Sequence, residues 1–345
     1  MLNESWATLW EALAAKQPDH VAVVIGDTHI RWRELDERAS RIASLFTEFG
    51  VGHDAKVGQL LFNCPEYLET AYASFKVRAS TVNVNYRYKA PEIVHVLSDS
   101  GATALVYHGA FSDVVEQARA SLPNIKLFLQ VNGGDNLPLL PGAVDYDAAM
   151  ASHQPMAPIE RSGADSLLLY TGGTTGVSKG AMLSHSNLVA NMQQSSSWIG
   201  KNAKEGSEVI ITALPLYHIF ALTANCLVFM KFGGLNYLIT NPRDMPGFVK
   251  ELKKSNFTAI TGVNTLFNGL LNTPGFDKLD FSRMHLALGG GMAVQKAVAE
   301  KWKKVTGVTL IEAYGLTETC GFCTATPKGA IRLGWAGIKA PGTEL

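Results

Sequence analysis

Neither sign of charge is in excess: 30 Lys+Arg offset 30 Asp+Glu over 345 residues, for a formal net charge of zero. That balance excludes a protein held on nucleic acid by overall positive charge, although a local basic patch would survive the averaging. Charged residues are scarce at 17% of the chain, below the usual share of about 25%. Apolar residues reach 47%, and a chain this apolar buries enough surface to offset its ordering entropy, which excludes disorder. Cysteine is scarce too. Four residues in a chain of this length make no disulfide scaffold and point to a reducing cytoplasm. The first sixteen residues, MLNESWATLWEALAAK, carry Glu4 and Glu11 and no basic n-region, so they read as an amphipathic helix and not as a secretory leader. Internal repeats and low-complexity runs are absent.

One long uncharged run stands out. Residues 211–230 (ITALPLYHIFALTANCLVFM) contain no charged side chain, and length alone makes them a membrane-span candidate. Pro215, His218 and Asn225 interrupt the run, and a strand-like ITALPL precedes a helix-like FALTANCLVFM. A buried strand, loop and helix is the expected form.

At roughly 100–200 residues per domain, the length allows one large domain or two to three smaller ones. The pattern alternates throughout, as in α/β proteins. Helices are expected at residues 36–49, 66–78, 91–98, 186–198, 245–254 and 295–306. Strands are expected at 56–63, 80–84, 104–107, 166–170, 209–214, 235–240, 258–262, 284–288 and 309–314. Residues 132–163 are rich in Gly, Pro, Asp and Ser and read as a surface connection between two subdomains, 1–160 and 161–345. Strand after strand ends in a Gly- or Pro-rich loop, and in open α/β sheets ligands sit outside the carboxyl ends of the strands.

The strongest chemical signal is YTGGTTGVSKG, from Tyr170 to Gly180, directly after the apolar strand SLLLY. Its four glycines, among them Gly172, Gly173 and Gly176, let the backbone turn sharply and present N–H groups to an anion. Thr171, Thr174 and Thr175 add hydroxyls, and Lys179 adds a mobile positive charge. The set suits a polyphosphate. It is not a Walker A motif, because Val177 and Ser178 separate Gly176 from Lys179. A plain flexible hairpin is the bland reading, but ten such residues closed by Lys-Gly after a buried strand are uncommon in a linker. A second signal is EAYGLTET from Glu312 to Thr319. Tyr314 offers a ring to stack on a base, and Thr317 and Glu318 lie in the following loop, where a carboxylate near a triphosphate would hold Mg²⁺. Thr-Glu alone is also an ordinary exposed turn.

Taken together, the two motifs resemble those of the adenylate-forming enzymes: acyl-CoA synthetases, luciferases and the adenylation domains of peptide synthetases. YTGGTTGVSKG looks like their phosphate loop, and YGLTE like their adenine- and magnesium-binding segment. The run from LPLYHIF at 214 to FDKLDFSRMHLALGGGMAVQKAVAEKW ending at 302 is similar to bacterial long-chain fatty-acid–CoA ligases; the resemblance covers about residues 166–318 at high specificity, and residues 1–165 fit the superfamily at lower specificity. The resemblance implies an α/β fold of two stacked subdomains with mixed sheets. It also implies a two-step reaction: a fatty acid attacks ATP to give acyl-adenylate and pyrophosphate, then coenzyme A takes the acyl group and AMP leaves. By position, Thr171 to Lys179 would hold the phosphates, Glu318 would bind Mg²⁺, and Tyr314 with Gly315 would meet adenine. Gly289, Gly290 and Gly291 would let the backbone approach the adenylate and the acyl carboxylate. His218 would stand at the carboxylate end of the acyl pocket, while Val263, Leu266 and Phe267 would line the acyl tunnel. Each has a bland reading as well: a lone His in an apolar segment is commonly a satisfied histidine, and apolar residues at helical spacing are commonly core.

Cys320-Gly-Phe-Cys323 has the spacing of a redox pair or of half a zinc site. No second Cys pair is present, and His153 and His285 lack ligand spacing, so two small semi-buried residues are expected. Ala313 stands where the family usually has Gly, and its methyl would crowd the adenine. The family's hinge and its small C-terminal lid domain, with the adenylation lysine, have no counterpart in these residues. Two alternatives therefore stand beside the fatty-acid ligase: a CoA ligase for another carboxylate, aromatic or branched, and a non-catalytic nucleotide- or acyl-binding remnant. The expected partners are the small-molecule substrates fatty acid, ATP and coenzyme A, and no nucleic acid. The expected location is the cytoplasm, with any membrane contact peripheral at its inner face; oligomeric state stays open.

Overall fold

The computed structural model describes residues 4–172, 176–199, 203–327, 329–332 and 334–344. The chain divides into two compact units, Met1–Asp19 with Trp32–Val189, and His20–Arg31 with Ala190–Leu345. Helix α1 (Trp6–Lys16) opens the first unit, capped by the Ser5 hydroxyl, which accepts from the Ala7 N–H. Strands β1 (Val21–Ile25) and β2 (Thr28–Arg31) then form an antiparallel hairpin belonging to the second unit. The chain returns through α2 (Trp32–Glu48), which buries Leu35, Ala39, Ile42 and Phe46 at helical spacing. There follow β3 (Lys56–Leu60), α3 (Pro65–Lys76), β4 (Ser80–Asn83), α4 (Ala90–Asp99), β5 (Ala104–His108), α5 (Ser112–Arg119) and β6 (Leu127–Val131). Every residue of β5 and of β6 is buried, as a parallel strand covered on both faces requires.

Residues 132–163 are not only a connection. They contain β7 (Val144–Asp145), which pairs parallel to β6, and α6 (Tyr146–Ser152), capped by Asp145 through the Ala148 N–H. Tyr146 is drawn into the interior, where its hydroxyl donates to Glu69 at 2.9 Å. Glu69 is fully buried and takes two further bonds from Arg38, at 2.7 and 3.2 Å. A buried carboxylate needs such partners, and this one ties α2, α3 and α6 together.

β8 (Ser166–Thr171) and β9 (Lys179–Ser184) form an antiparallel hairpin with Thr171 opposite Lys179. Helix α7 (His185–Ile199) follows, with the Ser184 hydroxyl accepting from the Asn187 N–H. Then come β10 (Val209–Thr212), a π-helix (Ala221–Phe229), β11 (Leu235–Leu238), α8 (Met245–Ser255), β12 (Ala259–Gly262), α9 (Asn264–Leu271), β13 (Leu286–Gly289), α10 (Lys296–Thr306), β14 (Leu310–Tyr314), β15 (Thr324–Ala325) and β16 (Ile338–Lys339). The uncharged run is thus a strand, a loop and a π-helix. Among the described residues no helix is long and apolar enough to cross a membrane.

Among the described residues the strands form two mixed sheets, as expected. The order is β7-β6-β5-β3-β4-β8-β9 in the first unit and β16-β15-β14-β13-β12-β10-β11-β1-β2 in the second. Only β9 is antiparallel in the first; β2, β15 and β16 form the antiparallel ends of the second. Alternation sorts the second sheet's side chains onto two faces. Ile211, Ile260, Ala287 and Leu310 join one core cluster with Phe248, Phe267 and Trp302 from α8, α9 and α10. Their neighbours Ile210, Ala259, Leu286 and Ile311 join Phe229 of the π-helix on the other.

The first unit also holds α1 in place through a buried imidazole. The Trp6 N–H donates to His185 Nδ1 at 3.2 Å, and the Ser5 hydroxyl lies 3.1 Å from the same atom. Nδ1 is therefore an acceptor and Nε2 carries the proton. Burial lowers the His185 pKa from 6.5 to about 4. The unfolded chain binds a proton across that window that the folded chain does not, so stability falls as pH drops from 6.5 towards 4. In urea unfolding, the loss between pH 7 and pH 4.5 should be smaller by roughly 2–3 kcal/mol in His185→Asn, which keeps an acceptor and does not titrate. An equal pH dependence in the two proteins would show that His185 is not responsible.

Candidate functional site

The glycine-rich segment joins β8 to β9, which pair antiparallel at the edge of the first sheet. Gly172 leaves β8, Gly176 has φ +135°, and Lys179 begins β9 with its side chain exposed. Thr171 is half-buried opposite it. Gly173, Thr174 and Thr175 lie outside the described residues. The base of the loop is fixed by α4 beneath it. The Tyr170 hydroxyl donates to Asp99 at 2.6 Å, and burial together with that carboxylate pushes the phenol's pKa well up, so it stays a donor. His95 Nε2 lies 2.9 Å from the Ser178 carbonyl, which can only accept, so the imidazole donates there. Neither contact was legible beforehand, because His95 and Asp99 stand more than seventy residues from their partners.

In the second unit, β12, β13 and β14 end together at glycines and at the Tyr314 segment. In the register Gly262 is opposite Gly289, which is opposite Glu312. Gly289 and Gly290 are buried and Gly291 is exposed. A Cβ on Gly290 would come within 3.1 Å of the Phe220 ring and 3.3 Å of the Ala313 carbonyl. A Cβ on Gly315 would overlap the Gly321 backbone, so the turn after Tyr314 closes only on glycine. The Tyr314 ring is 49% exposed, a free face of the kind a base can stack on. Thr317 and Glu318 fall in a single 3₁₀ turn, Thr317–Thr319, with the Glu318 side chain exposed. Glu312 instead is structural: its carboxylate accepts from the Val294 and Gly334 N–H groups at 2.8 and 2.9 Å.

Beside these strand ends opens an apolar cavity with about 800 Å³ of unfilled space, including its mouth. Leu286, Leu288, Ile311 and Ala313 of the sheet line it, together with Trp198 and Ile199 of α7 and with Phe220, Thr223, Ala224, Val228, Gly321 and Phe322. The Ala313 methyl is part of this wall. His218 precedes the π-helix; its Nδ1 accepts from the Phe220 N–H at 3.3 Å. The ring is exposed at the surface, yet the protein packed about it desolvates it enough to lower its pKa. Leu266 and Phe267 do not line the cavity. They are buried in the core on the opposite face of the sheet, the ordinary place for apolar residues at helical spacing, and Val263 packs against that core. Cys320 and Cys323 are free and buried, as the sequence reading expects, and burial pushes the Cys320 thiol up to about 11, the reverse of an activated thiol.

The family model described as AMP-binding enzyme matches residues 10–345. The chain is 39% identical over 367 aligned positions to the long-chain-fatty-acid–CoA ligase of Escherichia coli O157:H7, an alignment covering 99% of this chain and 65% of that protein. The chain therefore spans about two thirds of the length of the curated relatives it matches. Among solved structures, the anthranilate CoA ligase AuaEII in complex with anthranoyl-AMP superposes with a TM-score of 0.91 at 22% identity, covering 99% of this chain and 65% of that one. The N-terminal domain of FACL13 from Mycobacterium tuberculosis gives a TM-score of 0.88 at 22% identity, covering 98% and 83%. At these identities the two structures establish the fold.

The His95 contact has a measurable consequence. Removing one hydrogen bond to the loop costs about 1 kcal/mol, so His95→Ala should raise amide exchange at Lys179 and Gly180 roughly fivefold. Unchanged exchange at both would mean that α4 does not hold the hairpin.

Proposed function

Because the chain belongs to the AMP-binding enzyme family, we propose that it activates a long-chain fatty acid with ATP for transfer to coenzyme A. The nucleotide and acyl contacts are drawn from residues 161–345. The observation that carries this reading is the apolar cavity that begins beside Gly290 and Ala313 and runs between the sheet and the π-helix. Such a slot buries an alkyl chain, and the 39% identity to a long-chain-fatty-acid–CoA ligase supports the same substrate class.

In the first step a carboxylate oxygen of the fatty acid attacks the α-phosphorus of ATP. The bond to the bridging oxygen breaks, pyrophosphate leaves with its electron pair, and a mixed anhydride with AMP remains. Charge builds on phosphate oxygens, so preorganised donors are the chief requirement. Lys179 supplies a cation, and Thr171 with the N–H groups of residues 172–178 supplies hydrogen bonds. Tyr314 stacks on adenine, and the glycines at 289–291 and 315 let the backbone come close. His218 orients the acyl carboxylate from the start of the π-helix. In the second step the thiol of coenzyme A attacks the acyl carbonyl, the bond to AMP breaks, and the thiol proton passes to solvent.

Mg²⁺ fits this arrangement on donor chemistry. The exposed Glu318 carboxylate has no ion pair among the described residues, and a single hard oxygen donor suits a cation that takes most of its ligands from phosphate and water. Bound there, the ion would neutralise charge on the phosphates.

Two titrations test the assignment. Lys179→Ala should weaken ATP binding by about 1.5–3 kcal/mol, the range for a charge-assisted bond; unchanged affinity by calorimetry would remove Lys179 from the phosphate site. Glu318→Gln should weaken Mg·ATP far more than metal-free AMP, whereas equal losses would make Glu318 structural. For the acyl group, long-chain fatty acids should bind the chain more tightly than benzoate or ferulate. Tighter binding of the aromatic acids would move the substrate class.

A further inference from the structure

The far end of the apolar cavity is polar, and the groups there are a matched pair. His285 immediately precedes β13 and lines the cavity at the amino end of the sheet wall. Gly289, at the other end of the same strand, lies four residues on. His285 Nε2 lies 2.9 Å from Glu208 Oε2. Glu208 is 2% exposed and has a full set of donors: the Thr258 hydroxyl at 2.5 Å on the same oxygen and the Lys204 N–H at 2.7 Å on the other. The His285 backbone is fixed too, its N–H donating to the Thr258 carbonyl at 2.9 Å. A carboxylate so placed keeps its charge: burial acts to raise its pKa, but the hydrogen bonds from His285, Thr258 and Lys204 outweigh it and lower it. The imidazole that meets the cavity is thus held by a buried anion and cannot swing aside without leaving that charge unpaired.

Glu208 also faces away from the cavity. With Ser207, His20 and Arg283 it lines an open, polar depression at the amino ends of β10 and β11. The His285–Glu208 pair therefore stands between the apolar slot and an open polar depression. We infer that His285, fixed by Glu208, is the floor of the acyl slot and sets the length of chain it accepts. This rests on the fatty-acid reading above and deepens it. A methyl terminus that reaches the imidazole gains nothing from further methylenes, which would have to displace a hydrogen-bonded polar group.

The test is displacement of a fluorescent long-chain fatty acid from the 345-residue chain by unbranched saturated acids of increasing length. Each methylene newly buried should tighten binding about fourfold, up to a plateau where the chain meets His285. In His285→Ala the rise should continue past that plateau, with shorter acids unchanged. In His285→Trp, which extends the floor into the slot, the plateau should come at a shorter acid. The same plateau in both variants as in the unaltered chain overturns the inference while leaving the fatty-acid reading in place. If the alanine variant does not fold, an unshifted plateau in the tryptophan variant overturns it alone. No displacement by any fatty acid overturns both readings.

Discussion

A parallel strand has two faces, and water must be kept from both. In the second unit that requirement is met unequally, and the candidate site follows from the inequality. On one face α8, α9 and α10 close tightly over β10, β12, β13 and β14, with Trp302 in ring contact with both Phe267 and Phe276. The other face is covered by the end of α7 and by a π-helix. The π-helix is wide, and it is pinned by its buried Asn225, which donates to Thr212 and accepts from Thr261. Single-turn π-bulges are the usual form, and they occur frequently at functional sites; here the geometry extends over nine residues. What the covering elements leave unfilled is the apolar slot.

The slot gains meaning from where the strands end. Gly289 and Gly290, the Tyr314 turn and the start of the π-helix gather at the carboxyl ends of β13 and β14, the end at which open α/β sheets bind ligands. One of the glycines is a steric requirement, Gly315 against the Gly321 backbone, and at Gly290 a Cβ would press on the Phe220 ring and the Ala313 carbonyl. Ala313 belongs to the apolar wall with Leu288 and Ile311. The glycine-lined strand ends and the apolar slot are thus formed by one set of strands.

Much of this was legible in the sequence. Runs such as ALVY and VII announced buried strands, and helices from 245, from 295 and around 186–198 began or ended at recognisable caps, Asp244 and Ser184 among them. Strand β9 was not expected, because it begins at the lysine that closes the glycine-rich motif and runs along an exposed edge with little apolar signal. The β1–β2 hairpin and β6 went unread as well. Residues 132–163 misled through composition: their Gly and Pro do mark loops, but Val144 and Tyr146 between them enter the sheet and the core. The cavity wall could not be read at all. It draws on residues scattered from 195 to 325, and its His285 is bonded to Glu208, 77 positions away. Leu266 and Phe267 have the chemistry expected of an acyl wall and lie on the face of the sheet opposite the cavity. Helical spacing shows that residues share a side, not what lies against it.

The central claim is that the unfilled side of the second sheet holds an acyl chain. A long-chain fatty acid carrying a diazirine at its terminal carbon, bound to the chain and photolysed, tests it most directly. The account predicts cross-links in the peptides containing Trp198 and residues 285–288, abolished by excess unlabelled fatty acid. Saturable cross-links to α9, at Leu266 or Phe267, or to surface peptides alone, would contradict it.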